Sequence, residues 1–545
     1  MQAKTGNNDW NHNAIIRFVV FLSIIIAAQH HFGLNFPVRD SFHYGEFLAA
    51  AMAVLHEAPF DGEPFTIHGA ADIFPALAVN LFLSNPDYLI SYTLIAYPIM
   101  SLLSVIIIIF AALKIMWKLG SDQILIIPFL LLVPFAIDWR DLFFALSLYI
   151  FVKLVTSGES QRRRFLMQIL FGVVIALGTY WSFNRGAVAL LAFGPITLWL
   201  ALQDRRFLLS VGAALGSFLA IGLLLPGISV VGYIENFLML LETSSQWRYP
   251  TSRFGQAWTV ALLAALAASG VAGLAAVRRS GQDRYCLALI FALVVSSAVY
   301  VKIGLGRIDY VHLVMATWLP LLITSVSLRW GPVDLPMGWQ RRSVIIMGVI
   351  LSAVVLFYVM RSKHATVLLL ATFLIVLGAL MSPKGRFGVS VGVAVLIVAF
   401  AVSAPVVGVR KLLRGDFDWL VSLNVLPSND IAVTEEVLWA AHRISESGAE
   451  CIFDLANTGL VNAVAELPSC SRFTYPVYAD QNFEDSLISD LIGSNPPVIL
   501  YKSDFWSYAI DGRPMDERFP KLDTLIQRLY LREQCNLGVC LRYKE

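Results

Sequence analysis

Between Tyr88 and Leu113 the chain carries no charged residue, and that run constrains the fold more than any other feature. A helix needs roughly 20 apolar residues to cross about 30 Å of hydrocarbon, and this run exceeds that length. Further segments qualify or nearly so: 14–31, 123–137, 142–156, 165–181, 187–203, 207–225, 256–276, 285–301, 310–328, 343–360, 365–381 and 387–408. Hydrophobic residues make up 57% of the chain and charged residues 14%, with mean hydropathy +0.70, a balance foreign to water-soluble globular proteins. The fold class is therefore a polytopic α-helical membrane protein of about 13 transmembrane helices. A net charge of +2 without any long basic block excludes a nucleic-acid partner. The run from Ala14 to Ala28, behind Lys4 and Arg17, resembles a signal peptide. With so many later spans, an uncleaved first helix is the expectation.

The apolar piece from Ile73 to Leu83 is too short to cross, and Asn85-Pro86-Asp87 breaks it. It reads as a helix lying on the membrane surface. With the N-terminus inside, the inner loops and N-terminal flank hold about 18 Lys and Arg against about nine in the outer loops, in line with the positive-inside bias. That orientation puts everything after about Val409 outside, in the periplasm or the extracellular space, with the spans in the inner (plasma) membrane. Residues 1–408 then form the multi-span domain, with a first outer loop over 32–87, and residues 409–545 a small extracytoplasmic α/β domain.

Cysteine usage fits an oxidising compartment. Cys286 falls in a span, whereas Cys451, Cys470, Cys535 and Cys540 all lie in the terminal region, an even number suited to disulfides. Three pairings are open, and Cys451–Cys470 with Cys535–Cys540 is the expected one. Thr434 can cap a helix whose apolar face holds Val437, Leu438, Ala441 and Ile444, with Gly448 ending it. The runs Cys451–Leu455 and Pro497–Tyr501 read as strands, and Phe519–Tyr530 as a second amphipathic helix.

The densest chemistry follows the first span. Arg39-Asp40-Ser41-Phe42-His43-Tyr44-Gly45-Glu46 opens a loop that also carries His56, Glu57, Asp61, Glu63, His68 and Asp72. Titratable groups so concentrated at the water edge of a membrane bundle read as a reaction site. In a helix starting near Ser41, His43 and Glu46 would share roughly one face with Asp40; His68 and Asp72, one helical turn apart, would face them. Asp40 also suits a helix cap, and both roles stay open. The other outer loops bring Arg140, Arg185, Arg248 and Arg307 to the same side. Local pairing, Arg140 with Asp138 or Asp141 and Arg307 with Asp309, is one explanation. Contact with lipid headgroups is another, and a ring of guanidinium groups gripping a phosphate is the third.

This arrangement resembles the GT-C superfamily of integral-membrane glycosyltransferases. That superfamily includes protein mannosyltransferases, the aminoarabinose transferase acting on lipid A, and mycobacterial arabinosyltransferases. The resemblance rests on the acidic residue just after helix one, the surface helix, the dozen-odd spans and the terminal domain. The pieces Asp40…His43…Glu46 and His68…Asp72 share in it, as does Ser471-Arg472-Phe473-Thr474-Tyr475-Pro476. It implies a transferase that moves a sugar from a polyprenyl-phosphate donor to a glycan or lipid acceptor on the extracytoplasmic face. Asp40 would be the base, His43 and Glu46 its catalytic companions, the four arginines the donor-phosphate grip, and His68 and Asp72 support for the acceptor. The adjacent acidic pair of several branches is missing, because Asp40 is flanked by Arg39 and Ser41, which leaves a divalent cation such as Mg or Mn open. The rival readings are a transporter or flippase, or a polymerase or ligase, for a lipid-linked saccharide.

Overall fold

The computed structural model describes residues 8–32, 36–83, 85–118, 126–156, 160–224, 229–243, 283–306, 426–479, 481–501 and 514–545, with scattered positions between 312 and 323. The first long helix is α1 (Asn8–His31), followed by α2 (Ser41–Leu55), the short α3 (Phe74–Phe82) and α4 (Leu89–Lys118). Next come α5 (Ile127–Ala136), α6 (Leu142–Thr156), α7 (Gln161–Trp181), α8 (Phe183–Gln203), α9 (Leu208–Leu224), α10 (Val230–Thr243) and α11 (Arg284–Gly306).

Among the described residues, six helical stretches are long and apolar enough to cross a bilayer: Ala14–His31, Pro86–Lys118, Gln161–Trp181, Phe183–Gln203, Arg205–Leu224 and Arg284–Gly304. These take up the expected spans at 14–31, 88–113, 165–181, 187–203, 207–225 and 285–301. Of two further expected spans, 142–156 appears, with the same bounds, as the 15-residue α6 and 123–137 as the 10-residue α5, both below the ~20 residues a perpendicular crossing requires. The segments 256–276, 343–360, 365–381 and 387–408 lie outside the described residues, and 310–328 is described only in scattered positions.

The bundle packs around aromatic and branched side chains of α4, α6, α7, α8 and α11, including Phe144, Phe151, Phe171, Phe193 and Tyr300. For helices that cross a bilayer the alternative to this packing is lipid rather than water, so van der Waals contact holds these side chains together. In α3, Leu81 and Phe82 are almost fully exposed, as befits a short helix with an apolar side turned away from the protein. An element with no expectation behind it is α10. Glu63 accepts a hydrogen bond from the Ser229 N–H just before it, and Asn236 Nδ2 donates to the Pro64 carbonyl at 3.1 Å.

Residues 426–545 carry a four-stranded sheet in the order β1-β2-β4-β3, with β1 Phe453–Asp454, β2 Val498–Tyr501, β3 Arg532–Asn536 and β4 Val539–Tyr543. β1 runs parallel to β2, and the other two pairings are antiparallel. The expected helices appear as Glu435–Glu446 and Pro520–Leu529. Thr434 occupies the N-cap but makes no side-chain cap bond; first-turn Glu435 and Glu436 favour that end electrostatically instead. Of the expected strand Cys451–Leu455, Phe453–Asp454 pair with β2 as β1, and Ile452 adds a parallel bridge to Ser469. The β3–β4 hairpin was not foreseen, its exposed charged residues giving no clear alternation. Both disulfides match the expected pairing, Cys451–Cys470 and Cys535–Cys540, the latter across that hairpin.

This terminal region packs directly on α2. Phe42 and Ala49 join its core with Phe453, Phe473 and Tyr475, while Leu48, Ala51 and Met52 pack with Val437, Ala441 and Leu460. Between Val38 and Val433 the backbone adds a parallel bridge. Helix α2 is thus wedged between the terminal region and α3–α4, which explains why it is buried over most of its length.

Candidate active site

Asp40 is the N-cap of α2. Its Oδ1 accepts the His43 backbone N–H at 3.1 Å, and its Oδ2 lies 2.8 Å from His43 Nδ1. A carboxylate here satisfies an orphan donor of the first turn and faces the positive end of the helix. Both side chains stay open, with 57% of His43 and 52% of Asp40 accessible. Partial burial pushes the Asp40 carboxyl up, but the hydrogen bonds and charge of His43 outweigh it and hold the group below the usual carboxylate range. Asp40 is therefore ionised at neutral pH. Capping, one of the two roles considered for it, is present, and it leaves Oδ2 and its imidazole partner exposed.

Glu46 does not share that face. Six residues at about 100° each carry it some 120° around the helix from Asp40, and it points inward, 7% exposed. There it meets His68 and Asp72. These two are not a helical turn apart on one helix, as expected. His68 lies on a bend and Asp72 closes the 3-10 turn Ala70–Asp72, with Gly69 between them at φ +96°. A Cβ on Gly69 would sit 2.7 Å from the Tyr180 carbonyl oxygen, so the tight reversal demands glycine on both counts. The reversal lets one carboxylate take two bonds from one residue. His68 N donates to Asp72 Oδ2 at 3.0 Å, and His68 Nδ1 lies 2.8 Å from Oδ1. Rings of Phe47 and Trp139 stand against His68. Burial pushes the Glu46 carboxyl up; His68 opposes that, Asp72 reinforces it, and a hydrogen bond from Tyr478 opposes it again.

Beside this cluster, Asp138 caps the 3-10 turn Trp139–Asp141, and the Arg140 side chain returns to the same carboxylate, with Nε at 3.0 Å from Oδ2. Of the two local partners considered for Arg140, Asp138 is the one it grips. Burial pushes the Asp138 carboxyl up, but Arg140 and then Arg185 hold it well below the usual range. Arg185, expected in a loop, lies in the first turn of α8. Its Nε is 2.8 Å from Asp141 Oδ1 with both side chains essentially inaccessible. Tyr300 donates its hydroxyl to the same Asp141 oxygen, and its ring lies 4.7 Å beneath the guanidinium. Arg140 Nη2 and Arg185 Nη2 both end on Met315 Sδ, at 4.0 and 3.9 Å. Arg248 and Arg307 lie outside the described residues.

The expected site residues thus fall into three neighbouring groups: the open Asp40–His43 pair, the buried Glu46–His68–Asp72 cluster, and two arginines neutralised by aspartates. Sequence reading missed Tyr478 and Tyr300, because a tyrosine hydroxyl more than a hundred residues away leaves no local signal. For a divalent cation, the oxygen and imidazole donors of either His–Asp pair are chemically suitable. Among the described residues, the single set of three ligand types within mutual reach is Glu533, Cys535 and Cys540, whose thiols are consumed by a disulfide.

No family model matches the chain, and no curated protein matches it. Among solved structures it is similar to the crystal structure of ArnT from Cupriavidus metallidurans bound to undecaprenyl phosphate. That match has 13% identity and a TM-score of 0.46, covering 99% of this chain and 98% of that one. It is also similar to the Archaeoglobus fulgidus oligosaccharyltransferase in complex with zinc and sulfate. There the identity is 10% and the TM-score 0.35, covering 89% of this chain and 68% of the other. Likeness at these values carries no chemistry over to this chain, whose own residues must supply it.

Proposed function

We propose that the protein is a membrane-embedded glycosyltransferase that moves a sugar from a polyprenyl-phosphate donor to a hydroxyl of a glycan or lipid acceptor on the extracytoplasmic face of the inner membrane. The observation that carries the reading is the exposed, ionised Asp40 held by His43 at the start of α2, nine residues beyond the end of α1. Among the described residues six helical stretches are apolar and of bilayer length, and they offer the donor's hydrocarbon tail a place that water does not.

The chemistry is an exchange of one C–O bond for another. Asp40 Oδ2 takes the proton of the acceptor hydroxyl as its oxygen attacks the anomeric carbon. The bond from that carbon to the phosphate oxygen breaks, and the polyprenyl phosphate leaves with the electron pair and one more negative charge. A positioned base of this kind contributes about 10²–10⁴-fold. The new charge on the phosphate calls for cations. Arg185 supplies one whose Nη2 meets a thioether sulfur, a weak acceptor that a phosphate oxygen would outcompete, whereas Arg140 Nη2 would have to leave Asp138 to do the same. Arg248 and Arg307 are the further candidates for this grip. The buried Glu46–His68–Asp72 cluster would orient the acceptor side. A Mg or Mn ion remains compatible with the donor set, and no step above depends on it.

Asp40→Asn keeps an oxygen able to cap α2 but removes the base. The variant is expected to insert and fold normally, with sugar incorporation into surface glycolipids down by two or more orders of magnitude. Wild-type incorporation in that variant would refute the assignment.

A further inference from the structure

Glu46 is a buried carboxyl with a divided environment. Tyr478, from the terminal region, hydrogen-bonds it, whereas its Oε1 has no hydrogen-bond partner among the described residues. A buried oxygen left unmatched is costly, so its retention calls for a reason. The contacts that bring Tyr478 into range are close. Tyr475, three residues earlier and stacked on Tyr478, donates its hydroxyl to the Phe42 carbonyl at 2.9 Å. Gly459 lies so near Gly45 that a Cβ on it would fall 2.2 Å from the Gly45 carbonyl oxygen. The loop carrying Gly459 is tied by Asp454, which accepts the N–H groups of Ala456, Thr458 and Gly459 at 2.9, 2.7 and 3.0 Å. This interlock of backbone, buried rings and the buried Asp454 carboxylate converges on one turn of α2, between Phe42 and Glu46.

We propose that the terminal region completes the catalytic site: Tyr478 is a positioning residue that anchors the Glu46 carboxylate against His68 and Asp72. That the site is catalytic rests on the transferase reading above; the anchoring does not. The groups facing Glu46 are His43 on its own helix, His68 and Asp72 on the bend, Tyr97 on α4, and Tyr475 with Tyr478 from the terminal region. Tyr478 is among those that favour the ionised carboxylate, so losing its hydroxyl moves the Glu46 titration to higher pH.

The test is a difference-infrared titration of the full-length protein in lipid nanodiscs, using the carboxyl band that disappears in Glu46→Gln to mark Glu46. In Tyr478→Phe, which removes one oxygen from a buried ring, the midpoint of that band rises by about one pH unit, the size expected for losing a hydrogen bond to a charged group. Tyr530→Phe is the control. It deletes another buried hydroxyl of the terminal region, the one donating to the Pro496 carbonyl at 2.9 Å, and leaves the midpoint where it is. An unmoved midpoint in Tyr478→Phe, or an equal rise in both variants, overturns the anchoring. In a sugar-transfer assay with undecaprenyl-phosphate-linked donor, the double variant Glu46→Gln/Tyr478→Phe is no slower than Glu46→Gln alone, because both act through one carboxylate. Losses that multiply overturn the proposal too. If the wild-type protein transfers no sugar, the transferase reading fails while the titration still decides the Tyr478–Glu46 bond.

Discussion

Gly45→Ala tests the docking of the terminal region on α2 most directly. A Cβ built at Gly45 would lie 2.5 Å from the Tyr475 hydroxyl, 2.6 Å from the Thr458 carbonyl oxygen and 2.8 Å from Leu460 N. Two of these three are backbone atoms, which cannot rotate aside, so the segment 458–460 must back away from the helix. Overpacking of this kind costs about 1–3 kcal/mol, and the immobile neighbours place it toward the upper end. The retreat also loosens the Tyr475–Phe42 hydrogen bond, worth about 1 kcal/mol. Against this, alanine is favoured over glycine inside a helix by up to about 1 kcal/mol. The net loss is about 2–3 kcal/mol, concentrated on one interface. At about 1.4 kcal/mol per tenfold, the opened form of the terminal region becomes roughly 30- to 100-fold more populated. Native-state proteolysis in detergent reads that population when reclosing is fast relative to cleavage, and terminal-region cleavage should accelerate by the same factor. Gly194→Ala, whose Cβ meets nothing within 4 Å in α8, should leave the rate unchanged. Cleavage of Gly45→Ala within twofold of wild type would refute the close approach.

Three further outcomes follow from the charged groups. Arg185→Met strands Asp141 in a site with no access to water and should destabilise by about 3–5 kcal/mol; the double change Arg185→Met with Asp141→Leu should recover much of this in thermal melts. Asp454 has its carboxyl pushed up by burial, from 3.8 to about 6. Because the folded value lies above the unfolded one, its stabilising share is complete below pH 3.8 and drains away as pH climbs through 6. Melting temperature should therefore fall across that window in the wild type and fall less in Asp454→Asn, measured by scanning fluorimetry in detergent. Asp40→Ala should lose both base and cap, melting lower than Asp40→Asn by an amount equivalent to about 1 kcal/mol, while both are equally inactive.

How far the chain could be read without coordinates depended on distance along it. Span positions were legible because a bilayer imposes one length and one polarity on every crossing segment, and six such helices stand where the apolar runs are. The cap at Asp40 was legible because its bonds reach only three residues ahead. The two disulfides were narrowed by counting, four cysteines leaving three pairings. The tertiary structure alone decided the rest. The helical period already put Glu46 on another side of α2 from Asp40; the packing decided that this side is buried beside His68 and Asp72. Gly69, at its positive φ, folded His68 and Asp72 into a bend rather than a helix. Asp141 was given to Arg185 and Tyr300, and Asp138 to Arg140, a choice between neighbouring carboxylates that depends on where α8 and α11 pass. Tyr478 came to Glu46 from more than 400 positions away, and the Phe42 contact that guides it spans 433. Local hydrogen bonds and hydrophobic periods are written in adjacent residues; which buried charge meets which partner is settled only when packed helices exclude water and every polar atom must find its match in space.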